Sequence, residues 1–236
     1  MADPLLFPGS GGPAAPCIYV VCGDGEWEDL GELTQGRTCA IVQTRDADFF
    51  RDFSPWPEAA LTPDSPAFAG GAPAYLRTLV TTTIPAIERA HGLAPRTRAI
   101  CGYSLAGLFA LYALLESDAF CAAACVSGSL WFEGWPDYLA RAVARPAWRD
   151  RCANPATRPY AFFTLGNKER NAPNPRMRTV RMRTDETVDA LLRSGAEAEF
   201  QRMPGTHFTF VDERIGEGLS HLDTHLMQHA TRLSSS

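Results

Sequence analysis

Three side chains, far apart along the chain, have the types that acyl chemistry requires: Ser104 in Gly102-Tyr-Ser104-Leu-Ala106, Glu169 in Gly166-Asn-Lys-Glu169, and His207 in Pro204-Gly-Thr-His207. A serine hydroxyl is a weak nucleophile until a neighbouring base takes its proton, and an imidazole suits that task near neutral pH. A carboxylate can then fix the imidazole tautomer and offset the charge it gains. Ser104 is therefore the expected nucleophile, His207 the base and Glu169 the acid. Each has a plainer reading: Ser104 as a helix cap, Glu169 as a loop carboxylate paired with Lys168 or an arginine. A Ser104–His207 dyad without an essential acid also stays open. Of the other histidines, His91 falls in a helix-to-strand link, while His221, His225 and His229 share the C-terminal helix.

These residues can meet only if the fold gathers them. A β-prone run ends at Gly102, Ser104 follows two residues later, and an almost wholly apolar stretch continues to Leu115. That is strand, tight turn and buried helix, the nucleophile-elbow pattern, with Ala106 in place of the usual second glycine. The first N–H groups of the helix, that of Leu105 foremost, would face a developing oxyanion. Cys17–Cys22, Thr38–Gln43, Cys121–Ser127 and Tyr160–Leu165 are further apolar runs of strand length. Continuous rather than alternating burial predicts a parallel sheet covered on both faces. Ala198–Met203 alternates as an edge strand should. Ser104, Glu169 and His207 each follow the carboxyl end of one strand, so a parallel sheet would bring them to one rim. Their chain order, Ser then acid then His, is that of α/β-hydrolases.

Gly23-Asp24-Gly25 closes the first long strand, and this glycine loop is the natural place for a second oxyanion donor. Tyr103 beside the nucleophile, Trp131 past the 121–127 strand and Trp56 in the aromatic 45–57 loop are expected substrate contacts. The stretch Arg176-x-Arg178-x-x-Arg181-x-Arg183 reads either as a meeting point for an anionic substrate or as a solvated face.

The 236 residues, 45% of them hydrophobic, suit one α/β domain over 17–232 behind a flexible lead, 1–16, in which Leu5–Phe7 could add an edge strand. A net charge of −5 disfavours nucleic acid or an anionic membrane as partner. No run reaches membrane-spanning length and no signal peptide is evident, so a cytoplasmic location is expected. Seven cysteines without paired CxxC spacing read as buried thiols. His221, His225 and His229 recur every four residues, but no carboxylate or Cys motif completes a metal site, and no metal is expected.

The elbow, Ser127-Gly-Ser-Leu-Trp131, Leu165-Gly-Asn-Lys-Glu169 and Pro204-Gly-Thr-His207 together resemble the esterase family that includes esterase D and the enterochelin (ferric-siderophore) esterases. Ser54-Pro-Trp-Pro resembles the siderophore-esterase branch. The resemblance spans about residues 17–230. It implies an α/β-hydrolase-like three-layer sandwich with a mostly parallel sheet of about six strands, shortened at the N-terminus. It also implies a serine carboxylic-ester hydrolase using Ser104, His207 and Glu169 on a small-molecule ester, with no cofactor, and assigns the second oxyanion donor to Gly23 or its neighbour. An acyltransferase on the same residues and a catalytically silent binding module on the same fold are the alternatives.

Overall fold

The apolar runs become strands stacked at the centre of a layered molecule. The computed structural model describes residues 3–23 and 30–234. β1 (Leu5–Phe7) and β2 (Cys17–Gly23) precede a helical turn, α1 (Gly31–Thr34), then β3 (Ala40–Ala47) and a second turn, α2 (Phe49–Asp52). A small ribbon of β4 (Pro57–Glu58) and β5 (Phe68–Ala69) leads into α3 (Ala72–Thr78) and α4 (Ile84–His91). β6 (Arg98–Tyr103), α5 (Leu105–Glu116) and β7 (Ala122–Val126) form the middle of the chain. They are followed by α6 (Trp135–Ala144), α7 (Pro146–Ala153), β8 (Tyr160–Gly166), α8 (Val180–Arg193), β9 (Glu197–Met203) and α9 (Val211–Ser234).

The main sheet has seven strands in the order β1-β3-β2-β6-β7-β8-β9. All neighbours run parallel except β1, which lies antiparallel on β3 with Leu5 opposite Gln43. β2, β7 and β8 are buried along their whole length, as their unbroken apolar runs require; β9, at the edge, is half-buried.

Helices cover both faces. On one side Ile215, Leu219, Leu222 and Leu226 of α9 pack on Ile18, Val20, Cys101 and Phe162 of the sheet. On the other, α5 lies directly on the sheet beneath outer helices, and every residue from Leu105 to Leu115 is buried. A helix enclosed on all sides has no reason to carry a polar stripe, which is why this segment shows none. Between α3 and α4 the backbone makes a π turn over Leu79–Thr83, just before Pro85, which lacks an N–H for the helical ladder. α8 starts at Val180, and its buried stripe includes Thr184 and Thr187 alongside Val180 and Leu191. Both threonine hydroxyls donate to carbonyls one turn back.

All seven cysteines are free and all but Cys121 are buried. Burial pushes the thiols of Cys17 and Cys101 up to about 12. Among the described residues no helix is long and apolar enough to cross a membrane.

Candidate active site

Ser104 occupies the turn between β6 and α5 with φ 59° and ψ −121°, a conformation that L-residues seldom adopt. The turn is held by its backbone: the Ser104 N–H donates to the Val126 carbonyl at 2.9 Å, and its own carbonyl accepts the Ser129 N–H at 2.9 Å. Among the described residues only Ser127 and Phe210 share a positive φ without being glycine. All three flank the same rim, and each costs about 1–3 kcal/mol that the surroundings must supply.

The glycines explain why Ala106 is tolerated. A Cβ on Gly102 would lie 2.2 Å from the Ala106 carbonyl oxygen, and one on Gly107 would meet the Gly102 oxygen at 2.9 Å and the Gly128 Cα at 3.1 Å. Gly107 therefore permits the close approach of helix to strands. The methyl of Ala106 is itself fully buried in the core.

The three separated side chains form one continuous hydrogen-bonded line. His207 Nε2 lies 2.9 Å from Ser104 Oγ, and His207 Nδ1 lies 2.8 Å from Glu169 Oε2. Since an ionised carboxylate only accepts, Nδ1 carries the hydrogen and Nε2 is left to accept from the serine hydroxyl. Glu169 opens a short 3-10 turn after β8, and its other oxygen, Oε1, accepts from Ser127 Oγ and from the Gly166 N–H, each at 2.7 Å. Burial alone would raise its carboxyl. The hydrogen bond and charge of His207, together with the Ser127 and Gly166 donors, outweigh burial and hold it below the ordinary value.

The loop bearing His207 is fixed from behind. Arg214, fully buried in the first turns of α9, donates to the carbonyls of His207 and Thr209 at 2.8 Å and of Thr206 at 3.2 Å. The Tyr103 hydroxyl donates to the same His207 carbonyl, and its ring stacks on the imidazole at 4.9 Å and 25°. Tyr103, expected to touch substrate, thus braces the imidazole and does not line the adjoining cavity.

Leu105 begins α5, directly after Ser104. β2 and β6 are neighbours with Val21 level with Gly102, and β2 ends at Gly23, two residues beyond that pair. The rest of that loop, Asp24 and Gly25 included, lies outside the described residues.

A cavity of about 550 Å³ opens beside His207 and Glu169, walled by Trp131, Ala172, Pro173, Met177, Val180 and Phe208. Trp131 forms part of that wall. Trp56 lies apart from this cavity: its indole N–H donates to the Glu133 carbonyl at 2.9 Å and its ring packs on Phe132 and Tyr138. The basic stretch is already engaged. Arg176 lies 3.5 Å from Glu58 and over the Trp131 ring, Arg178 holds the Ala172 and Pro173 carbonyls, and Arg181 and Arg183 pair with Asp185 and Glu186. The histidines of α9 face elsewhere: His221 stacks on Phe162, His225 on Tyr160, and His229 lies 3.0 Å from the Ala156 carbonyl.

Two residues central to this geometry were not singled out by sequence reasoning. Ser127 carried a signal, a polar residue closing a buried strand at the same rim as Ser104. Arg214 carried none, because one arginine near the start of a helix reads as solvated until its burial is seen.

Residues 10–207 match the family model described as "Putative esterase". "Uncharacterized protein YbbA" of Bacillus subtilis (strain 168) is 23% identical over 190 residues, covering 76% of this chain and 72% of that protein. Among solved structures, the siderophore hydrolase EstA from Aspergillus nidulans superposes with a TM-score of 0.71 at 19% identity, over 91% of this chain and 85% of that one. An IroE-like serine hydrolase from Shewanella oneidensis superposes with a TM-score of 0.73 at 21% identity, over 94% and 75%. With most of its length matched by that model and its strands arranged as in these hydrolases, this chain belongs to the esterase family.

Proposed function

We propose that this protein is a serine carboxylic-ester hydrolase working through an acyl-enzyme, with Ser104, His207 and Glu169 as its reacting and orienting groups. The observation that carries the reading is the unbroken line Ser104 Oγ, His207 Nε2, His207 Nδ1, Glu169 Oε2, with links of 2.9 and 2.8 Å. Ser104 Oγ bonds to the ester carbonyl carbon as its proton passes to Nε2, and the carbonyl oxygen takes the negative charge. Backbone N–H groups at Leu105 and on the Gly23 side are the proposed donors to that oxygen. Collapse breaks the bond to the alcohol oxygen, which leaves with the proton from Nε2. Water then gives a proton to Nε2 and attacks the acyl carbon, and the acid departs as Ser104 regains its hydrogen.

Replacing Ser104 by Ala should remove turnover of p-nitrophenyl acetate and labelling by a fluorophosphonate while leaving the circular dichroism spectrum unchanged. Retained turnover rejects the mechanism. Because EstA is named a siderophore hydrolase, a siderophore-like polyester is the first natural substrate class to assay. Hydrolysis of a catecholate trilactone no faster than that of a short neutral ester removes that narrower reading.

A further inference from the structure

We infer that the cavity beside His207 receives the leaving alcohol of the substrate, and that its carbon walls favour esters with a larger apolar alcohol. This rests on the serine-esterase reading above and adds which half of the ester is recognised and by what chemistry.

The side follows from the proton's path. The alcohol oxygen must accept a proton from His207 Nε2 as its bond to carbon breaks, so that oxygen sits within hydrogen-bond reach of the imidazole. Whatever is attached to it extends across the imidazole and away from Leu105, where the carbonyl oxygen is directed. The cavity has this placement: His207, Glu169 and Phe208 border it, while Ser104 and Leu105 are not among its described walls. Phe208 meets the imidazole edge-on at 4.9 Å and is 80% exposed, forming a lip that an alcohol group would cover on entering.

The chemistry follows from the walls. Trp131, Pro173, Met177, Val180 and Phe208 present carbon surface, and the volume of about 550 Å³ is ample for an aryl or medium-chain alkyl group. The nearby arginines are directed at other partners. Arg178 spends its donors on the Ala172 and Pro173 carbonyls, and so builds the wall from outside; Arg176 lies against Glu58 and over the far wall, Trp131. Lys168, Asn171 and Thr206 complete the lining with polar groups, and each methylene placed against the carbon walls gains transfer energy.

Two ester series test this: acetates of methanol through hexanol, and methyl esters of acetic through heptanoic acid, followed by pH-stat. These alcohols are of similar acidity, so leaving-group reactivity stays nearly constant along the first series. The expected result is a rise in kcat/KM of about three- to fourfold per methylene on the alcohol side until the cavity fills, with a much flatter acyl series. Met177→Trp should flatten the alcohol series, and Met177→Leu, which keeps the apolar wall, should preserve it. A rise confined to the acyl side, or no dependence on either, overturns the inference while leaving the esterase reading intact. If neither series is hydrolysed and the fluorophosphonate fails to label Ser104, both fall together.

Discussion

The guanidinium Nη2 of Arg214 lies 2.8 Å from the carbonyl oxygen of His207, an oxygen that also accepts the Tyr103 hydroxyl. The proposed base is thus located by a buried cation on α9 and a tyrosine from the elbow strand, acting on its backbone, as well as by Glu169 acting on its ring. Hydrogen bonds from a charged donor in a dry setting are worth more than neutral ones, and no side chain of another type can span this many carbonyls.

Arg214→Met is therefore expected to lower kcat by about 10- to 100-fold with KM changed by less than about twofold, since a loosened imidazole misplaces a proton transfer without altering substrate contacts. Arg214→Lys should recover part of the loss by restoring a cation with fewer donors. Steady-state kinetics on both variants check this; an unchanged kcat in the methionine variant removes the positioning role.

The backbone of Ser104 yields a second expectation. A residue held at φ 59° is strained unless it is glycine, and the side chain contributes little packing that would offset the strain. Ser104→Gly should abolish ester turnover and raise the urea unfolding free energy by about 1 kcal/mol. A less stable variant would mean that the hydrogen bond to His207 outweighs the backbone cost.

Glu169 links the site to pH. Its folded-state carboxyl is held below the ordinary carboxylate value, so ionisation stabilises the fold fully above about pH 4.3 and the contribution is lost as pH falls through the lowered value. Glu169→Gln should be less stable than wild type at neutral pH, with the gap closing on acidification, and should lose activity by roughly 10²–10⁴-fold. Ser127→Ala removes one donor to the carboxylate and should shift the acid limb of wild-type stability upward in pH. Urea midpoints measured from pH 3 to 7 test both, and an acid limb that stays in place excludes Ser127 as a determinant.

Much of the site was readable from the chain because its chemistry is local to strand ends. Ser104, Glu169 and His207 could each be placed after a strand, and a parallel sheet does the rest. Tyr103 and Trp56 show where that logic stops. Both sit in the expected neighbourhood, but whether an aromatic ring faces a ligand or braces a neighbour depends on rotamers and cross-chain partners such as His207 and Glu133. Likewise the arginines from 176 to 183 read as a charge run, although their carboxylate and carbonyl partners span residues as distant as Glu58. The buried face of α8 is hard to read for a related reason: Thr184 and Thr187, polar by type, face the core once their hydroxyls turn back on the helix.

One helix does two jobs. α9 roofs half of the sheet with its leucines and, from its opening turns, moors the imidazole through Arg214; farther along, His229 fastens it near Ala156. Damage to that rod far from any reacting atom, whether a protease nick or a bulky fusion that pries it loose, is therefore expected to silence ester turnover by setting the proposed base adrift.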